Sequence, residues 1–497
     1  MYLLGYDCGT SSIKATLLDG ASGKVLASAT EPKKEMPILA EKPGYAEQDP
    51  ETWWRNLKAA TAAIKEQSQL DLADVSAIGI AYQMHGLVLL DKAGKVLRPC
   101  IIWCDSRAVG VGEQAAGQIG EETCLEHTLN LPGNFTLTRL AWVKQNEPAI
   151  YAKTHKAMLP GDYLAYRMTG QLNTTASGLS EWIGWDFKSS RPAGMLFDHF
   201  GIDQALLPDL TETFSVQGEL TAAAAAELGL SPKTPIAYRA GDQPNNAFSL
   251  NVLEPGEIAA TAGTSGVVYG IGDEPNYDQA SRVNTFVHVN SCVGTPRYGT
   301  LMCINGTGSL NSWLKHHTMG RGEDYPQMNE LAAQAPVGSA GLVMLPYGNG
   351  AERTLANKDL GASVHHLHFN VHERSHVLRA AQEAIVFAFH HGLGIMQEMG
   401  IAIKTVRAGD ANMFLSPLFG QAFATVSGAQ VELYNTDGSQ GAARGAGLGA
   451  GVFASAKEAF VGLQKTRTIE PRPDDAVAYQ DAYGHWAKTL AQQLGLA

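Results

Sequence analysis

Cysteine is scarce in this chain. There are six in 497 residues, at Cys8, Cys100, Cys104, Cys124, Cys292 and Cys303, and no CxxC pair. Cys100 and Cys104 have no second pair at metal-ligand spacing, so neither a disulfide framework nor a structural zinc site is expected, and free thiols suit a reducing compartment. Charge is thin and biased: charged residues are 17% of the chain, and 37 Lys and Arg against 49 Asp and Glu leave a formal net charge of −12. An acidic chain is a poor partner for nucleic acid or anionic membrane. A nucleotide stays open, because backbone amides and a metal hold phosphates without net positive charge. No run of about 18 uninterrupted apolar residues occurs, so no membrane-spanning helix is expected. The opening Met1-Tyr2-Leu3-Leu4-Gly5-Tyr6-Asp7 has no basic region and no long apolar region, which argues against a signal peptide and for a cytoplasmic location. The GxxxxGK[ST], HExxH and GxSxG motifs are also missing.

What is present is a chain that folds. Hydrophobic residues make up 45% of it, and its length calls for two or three domains. Residues 2–6 and 13–18 are apolar runs flanking Cys8-Gly9-Thr10-Ser11-Ser12, and a third run starts at Val25, which reads as three strands joined by turns. Asp49 and Pro50 open a helix that carries Trp53, Trp54 and Leu57 on one stripe. The same grammar returns at residues 256–271, where Gly263-Thr264-Ser265-Gly266 separates two apolar runs. A domain-sized repeat suggests two similar halves. Farther on, residues 377–399 read as a buried helix, 406–408 as a strand, Gly409-Asp410-Ala411-Asn412 as the opening of another helix, and 479–496 as a terminal amphipathic helix. Residues 438–451 hold six glycines, suited to close approach of a helix to a sheet or ligand. Gly445-Ala446-Gly447-Leu448-Gly449-Ala450 fits a loose dinucleotide fingerprint, but no strand precedes it, so that reading is rejected.

Four segments have residue types that suit chemistry. The turn after Asp7 offers amide and hydroxyl donors to phosphate oxygens, with Asp7 able to hold a Mg²⁺ ion; an ordinary hairpin turn has the same composition. Asp242, in Gly241-Asp242-Gln243-Pro244, is either a helix cap or a base that takes a hydroxyl proton. Gln83-Met84-His85-Gly86 and Trp103-Cys104-Asp105-Ser106-Arg107 offer polar groups and an aromatic wall to a polyhydroxy ligand, or are loops with an ordinary histidine and one ion pair. The doublets His316-His317 and His390-His391 lack metal-ligand context and read as core or surface histidines.

Nine segments in order resemble the FGGY carbohydrate kinases over nearly the whole chain: residues 5–11, 45–54, 83–86, 102–107, 159–164, 168–170, 241–242, 263–266 and 345–347. The resemblance implies an α/β protein of two actin-like, ribonuclease-H-like domains with an inter-domain cleft. Residues 1–245 would form the sugar-binding side and 246–497 the nucleotide-binding side, with a hinge just after Asp242. It implies phosphorylation of a ketose by ATP with Mg²⁺, D-xylulose to D-xylulose 5-phosphate first, with sedoheptulose, ribulose, glycerol or gluconate, or a non-sugar actin-like ATPase, as alternatives. By position, Asp242 would be the catalytic base, and Gln83, Met84, His85 and Asp105 would lie at the sugar. Asp7 would lie by the metal. Thr10, Ser11, Ser12, Gly263 and Thr264 would hold phosphates, and Gly308, Gly409 and Asn412 would line the adenosine side. A homodimer is the base-rate expectation. The sequence departs from the family pattern at Cys104, Arg139, Gln243-Pro244-Asn245, Asp410 and His366-Leu367, and the Phe-Gly-Gly-Tyr string itself is absent.

Overall fold

The apolar run, polar turn, apolar run at the N-terminus forms a meander. Strands β1 (Tyr2–Cys8), β2 (Ile13–Asp19) and β3 (Val25–Glu31) pair antiparallel in sequence. The computed structural model describes residues 1–496 of the chain. The helix Pro50–Ser68 begins as expected, with the Asp49 carboxylate accepting from the Glu51 N–H and Pro50 in the first turn. Its buried face carries Trp53, Trp54, Leu57, Ala60 and Ile64. β4 (Val75–Tyr82) then runs parallel to β1, and β6 (Pro235–Gly241) parallel to β4, with β5 (Phe214–Glu219) antiparallel at the edge. The sheet order is β5-β6-β4-β1-β2-β3.

The chain divides into two units. The first contains Met1–Asn251, Phe286–Tyr298 and Thr436–Leu463. The second contains Val252–Thr285, Gly299–Asn435 and the stretch from Gln464 onward. Its sheet is built from β7 (Glu257–Ala262), β8 (Gly266–Gly272), β9 (Asn284–Val287), β10 (Tyr298–Ile304), β11 (Thr405–Gly409), β12 (Gln430–Tyr434) and β13 (Lys465–Ile469). The order is β9-β10-β8-β7-β11-β12-β13. β7 and β8 are antiparallel across the Gly-Thr-Ser turn, β11 is parallel to β7, β12 to β11, and β13 is antiparallel. Read from the hairpin side, β3-β2-β1-β4-β6-β5 and β10-β8-β7-β11-β12-β13 are the same arrangement, so the two Gly-Thr-Ser turns occupy equivalent corners of equivalent sheets.

Each sheet is covered by small or apolar helix faces. In the first unit the helix Gly438–Gly449 lies so close that a Cβ on Gly79 of β4 would sit 1.9 Å from the Ala442 carbonyl oxygen. In the second unit the helix Arg374–Glu398 buries Ile385, Phe389 and Leu393, with the Phe389 ring against Phe419 and Phe423. Two sequence expectations shift here. Residues after Gly409 form a 3₁₀ turn, Asn412–Leu415, before the α-helix Pro417–Ser427 starts. The terminal helix begins earlier than expected, at Pro473.

Candidate active site

Parallel strands deliver their C-terminal ends to one edge of a sheet, where ligands of open α/β folds bind. In the first unit the register sets Cys8 of β1 and Gly241 of β6 opposite Tyr82 of the strand between them. Asp7, the segment Gln83-Met84-His85, and Asp242 are therefore brought together at a single edge.

Asp242 is the first residue of the helix Asp242–Ser249, and Gly241 is its N-cap, so the cap position lies one residue earlier than the spacing suggested. Pro244 falls in the first turn, where its missing N–H costs nothing. The Asp242 carboxyl is pushed up to about 7, first by burial and then by the neighbouring Asp7 charge, with the Gln243 N–H pulling the other way. Asp7 is pushed up to about 6 by burial and by Asp437, against Lys14. Lys14 is paired to Asp437 at 2.7 Å, and Asp437 caps the helix Gly438–Gly449. The Asp7 carboxylate lies against the first residue of that helix: a Cβ on Gly438 would sit 2.2 Å from its Oδ2.

Gln83 is buried, and its amide is spent inside the protein. It accepts from the Thr10 hydroxyl at 3.3 Å and donates to Gln48 at 2.9 Å, while Gln48 donates to the Thr10 carbonyl at 2.7 Å. The Trp103 indole N–H, half-exposed, donates to the Thr10 hydroxyl at 2.8 Å. Thr10 is thus fixed from two sides, whereas Ser11 is exposed and Ser12 closes the turn by accepting the Gly9 N–H at 3.0 Å. Met84 is buried, and His85 is half-buried with its ring edge-on to Phe135 at 5.1 Å and tilted to Phe286 at 5.7 Å. Asp105 is fully buried and committed. It accepts from the Ala46 N–H at 2.6 Å and from Arg107 through Nε and a terminal nitrogen, the latter at 2.7 Å. That guanidinium stacks 3.7 Å from the Tyr45 ring centroid.

Two residues gain importance: Arg139, which the sequence marked only as a departure from the family pattern, and Glu181, which it did not signal. Arg139 is fully buried and donates to the backbone carbonyls of His85 at 2.5 Å and Trp103 at 2.9 Å, so one guanidinium braces both loops. Burial pulls it down to about 10, leaving it charged at neutral pH. Glu181 is buried beside Tyr82, His85 and Gly241. Neither follows a spacing rule; each is a lone charge inside an apolar stretch.

In the second unit a cavity of about 1100 Å³ is lined by Gly263, Thr264, Gly308, Asn311, Trp313, Tyr325 and Asn412, among others. Its floor is backbone meeting backbone: the Gly308 and Ser309 N–H groups donate to the Gly263 and Thr264 carbonyls at 2.8 and 3.1 Å. A Cβ on Gly308 would lie 2.3 Å from the Gly263 oxygen. Behind that loop, Glu352 is buried and accepts from the Asn305 N–H at 2.9 Å. Gly409 ends β11 outside this lining, and Asp410 is turned to the Thr466 hydroxyl at 2.9 Å and to Arg467. Among the described residues no helix is long and apolar enough to cross a membrane, and no group of three or more His, Cys, Asp or Glu side chains is arranged to hold a metal.

The chain matches the N-terminal domain of the FGGY family of carbohydrate kinases over residues 2–249 and the C-terminal domain over 258–454. It is 31% identical to the xylulose kinase of Bacillus subtilis over 492 residues, 97% of this chain and 95% of that one. The crystal structure of a xylulose kinase from Rhodospirillum rubrum superposes with a TM-score of 0.89 at 26% identity, covering 99% of each chain. That of a sugar kinase described as a xyloylose kinase from Brucella ovis gives 0.90 at 26%, covering 100% of each. These kinases have the actin-like ATPase fold, and the repeated sheet order is that fold's. With both family domains matched in order across most of its length, the chain belongs to the FGGY family of carbohydrate kinases.

Proposed function

We propose that this carbohydrate kinase transfers the terminal phosphoryl group of ATP to the 5-hydroxyl of D-xylulose, with Asp242 as the base. The observation that carries the reading is the convergence of Asp7, His85 and Asp242 at the carboxyl edge of β1, β4 and β6. The similarity to kinases named for xylulose supports the choice of sugar. The first unit holds the sugar through Met84 and His85, under the wall of Trp103, Phe135 and Phe286. Gln83 and Asp105 act one step back: Gln83 fixes Thr10, and Asp105 fixes the 105–107 loop. ATP is held by the second unit, with its base and ribose in the cavity bounded by Trp313, Tyr325 and Asn412, and its phosphates near Gly263, Thr264 and Gly308. Thr10, Ser11 and Ser12 receive the phosphoryl end, and Gly409 supports Asn412 through the chain between them.

Phosphoryl transfer asks a protein for position and charge stabilisation more than for covalent chemistry. Asp242 accepts the hydroxyl proton as the oxygen attacks, and a carboxyl raised to about 7 is matched to that task near neutral pH. The residues present fit a magnesium ion. Asp7 accepts no hydrogen bond among the described residues, and one carboxylate completed by water and phosphate oxygens is a usual magnesium set. Asp7 would hold such an ion, directly or through water, and the ion would offset the negative charge on the phosphoryl oxygens. Measured ADP release across D-xylulose, D-ribulose, sedoheptulose, glycerol and gluconate tests the reading. The highest kcat/KM is expected for D-xylulose. A higher value for another sugar replaces the substrate, and ADP release independent of every sugar removes the kinase reading.

A further inference from the structure

Glu181 has no place in the mechanism above, yet its side chain is buried among the residues that do. It ends the short helix Ala176–Glu181, whose start is held by the Thr175 hydroxyl accepting the Gly178 N–H at 3.0 Å. Its two carboxyl oxygens serve two donors. Oε1 accepts the Tyr82 hydroxyl at 3.1 Å, and Oε2 accepts the His85 backbone N–H at 3.3 Å. Its own backbone carbonyl lies 2.8 Å from His85 Nδ1. A carbonyl oxygen only accepts, so Nδ1 is the donor in this contact.

The backbone of His85 needs this support. Its φ is +60°, a left-handed conformation that a non-glycine residue keeps only where its surroundings impose it. Glu181 holds the N–H side of that residue, Arg139 its carbonyl, and Phe135 and Phe286 its ring. The same carboxyl sets what can stand before Asp242. A Cβ on Gly241 would lie 2.6 Å from Glu181 Oε1 and 2.7 Å from Met84 Cγ, so only glycine lets the end of β6 pass.

We propose that Glu181 is a positioning residue for sugar recognition: it locks His85 in its left-handed turn with Nδ1 turned to the Glu181 carbonyl, so that the ring keeps one orientation toward the sugar, and it keeps the Gly241-Asp242 step against the same wall. This rests on the reading of His85 as a sugar contact. Burial also pushes the Glu181 carboxyl up toward its neutral form, which agrees with a role as a two-way hydrogen-bonding group rather than as a charge. A glutamine can meet both neighbours, its carbonyl toward the His85 N–H and its NH₂ toward the Tyr82 oxygen. Alanine and leucine meet neither.

The test is a set of steady-state measurements on the full chain with D-xylulose and ATP. Glu181→Ala and Glu181→Leu are expected to raise the sugar KM about tenfold or more, the size of a lost buried hydrogen-bond partner, with the ATP KM unmoved, and Glu181→Gln to restore most of the loss. In a His85→Ala background, Glu181→Ala should add almost nothing, because it acts through His85. Full additivity of the two, or equal rises in the KM of sugar and ATP, overturns the proposal. If His85→Ala alone leaves the sugar KM unchanged, the reading of His85 as a sugar contact fails instead, and the two failures are told apart. Should Glu181→Ala not fold, Tyr82→Phe removes one donor to the same carboxyl and carries the test, with a rise of about threefold expected and no change overturning it.

Discussion

The two units share a strand order and differ in what they set on it. At the edge of the first sheet the working groups are side chains, several of them ionisable: Asp7, Asp242, Glu181, Arg139 and His85. At the equivalent corner of the second, the working surface is backbone and small residues, Gly263, Thr264 and Gly308, opening on a large cavity with an aromatic wall. Glu352 is the one carboxyl noted behind that loop. One frame therefore carries buried ionisable side chains in one copy and a backbone-lined turn beside a cavity in the other.

That contrast can be broken by substitutions that act on one unit alone. The largest effect is expected for Asp242→Ala, which removes the proposed base: kcat should fall about 10²–10⁴-fold while the ATP KM holds. Near-normal kcat would take Asp242 out of the role. Next is pH. Asp242 must be ionised to accept a proton, and its carboxyl stands at about 7, so kcat/KM should drop about tenfold per pH unit below that value and level off above it. A profile flat from pH 5 to 8 would contradict it. The stability sign runs the opposite way. The folded state binds this proton more tightly than the unfolded chain does, so the contribution is full below the ordinary carboxylate pKa of about 4 and is lost as pH rises through about 7. Asp242→Asn, neutral throughout, should melt above the wild type at pH 8, measured by thermal unfolding.

Gly308→Val probes the second unit. Its branched side chain would meet the Gly263 carbonyl, displacing the loop at a cost of about 1–3 kcal/mol, and the ATP KM should rise about tenfold with sugar binding by titration unchanged. A parallel loss of sugar affinity would mean the units do not divide the work. The smallest effect is expected for Glu352→Gln. An amide oxygen still accepts one N–H but not the pair at Asn305 and Gly306, so the ATP KM should rise about threefold. Because burial pushes this carboxyl up to about 7, the variant should also lose the part of the decline in melting temperature between pH 6 and 8 that belongs to Glu352.

Much of the frame was legible locally. The alternation of apolar runs with Gly, Ser and Thr turns marks β1–β2 and β7–β8, Asp49-Pro50 marks a helix start, and the equal grammar of the two turns points to a repeated sheet. What was not legible is what distance decides. Nothing in residues 436–463 or 286–298 announces that they return to the first unit, because their periodicity records burial and not the partner. Asp105 and Arg107 read equally well as ligand contacts or as an ion pair, and only the stacking on Tyr45 and the bond from Ala46 reveal how completely the pair is used up within the fold. Glu181 and Glu352 carry no motif, and Arg139 stands out only as a departure from the family pattern. Their neighbours in sequence do not say which side chains such groups will meet.

The late return of Gly438–Gly449 has a consequence for how the protein is made. Until that segment leaves the ribosome, one face of the first sheet, including Gly79 and the back of Tyr238, has nothing to cover it. At the usual synthesis rate of ~5–20 residues per second, a nascent chain spends tens of seconds in that bare condition. The N-terminal half thus cannot finish before its successor is largely synthesised, and a message cut short anywhere upstream of this helix yields an unfinished first unit rather than a smaller working one.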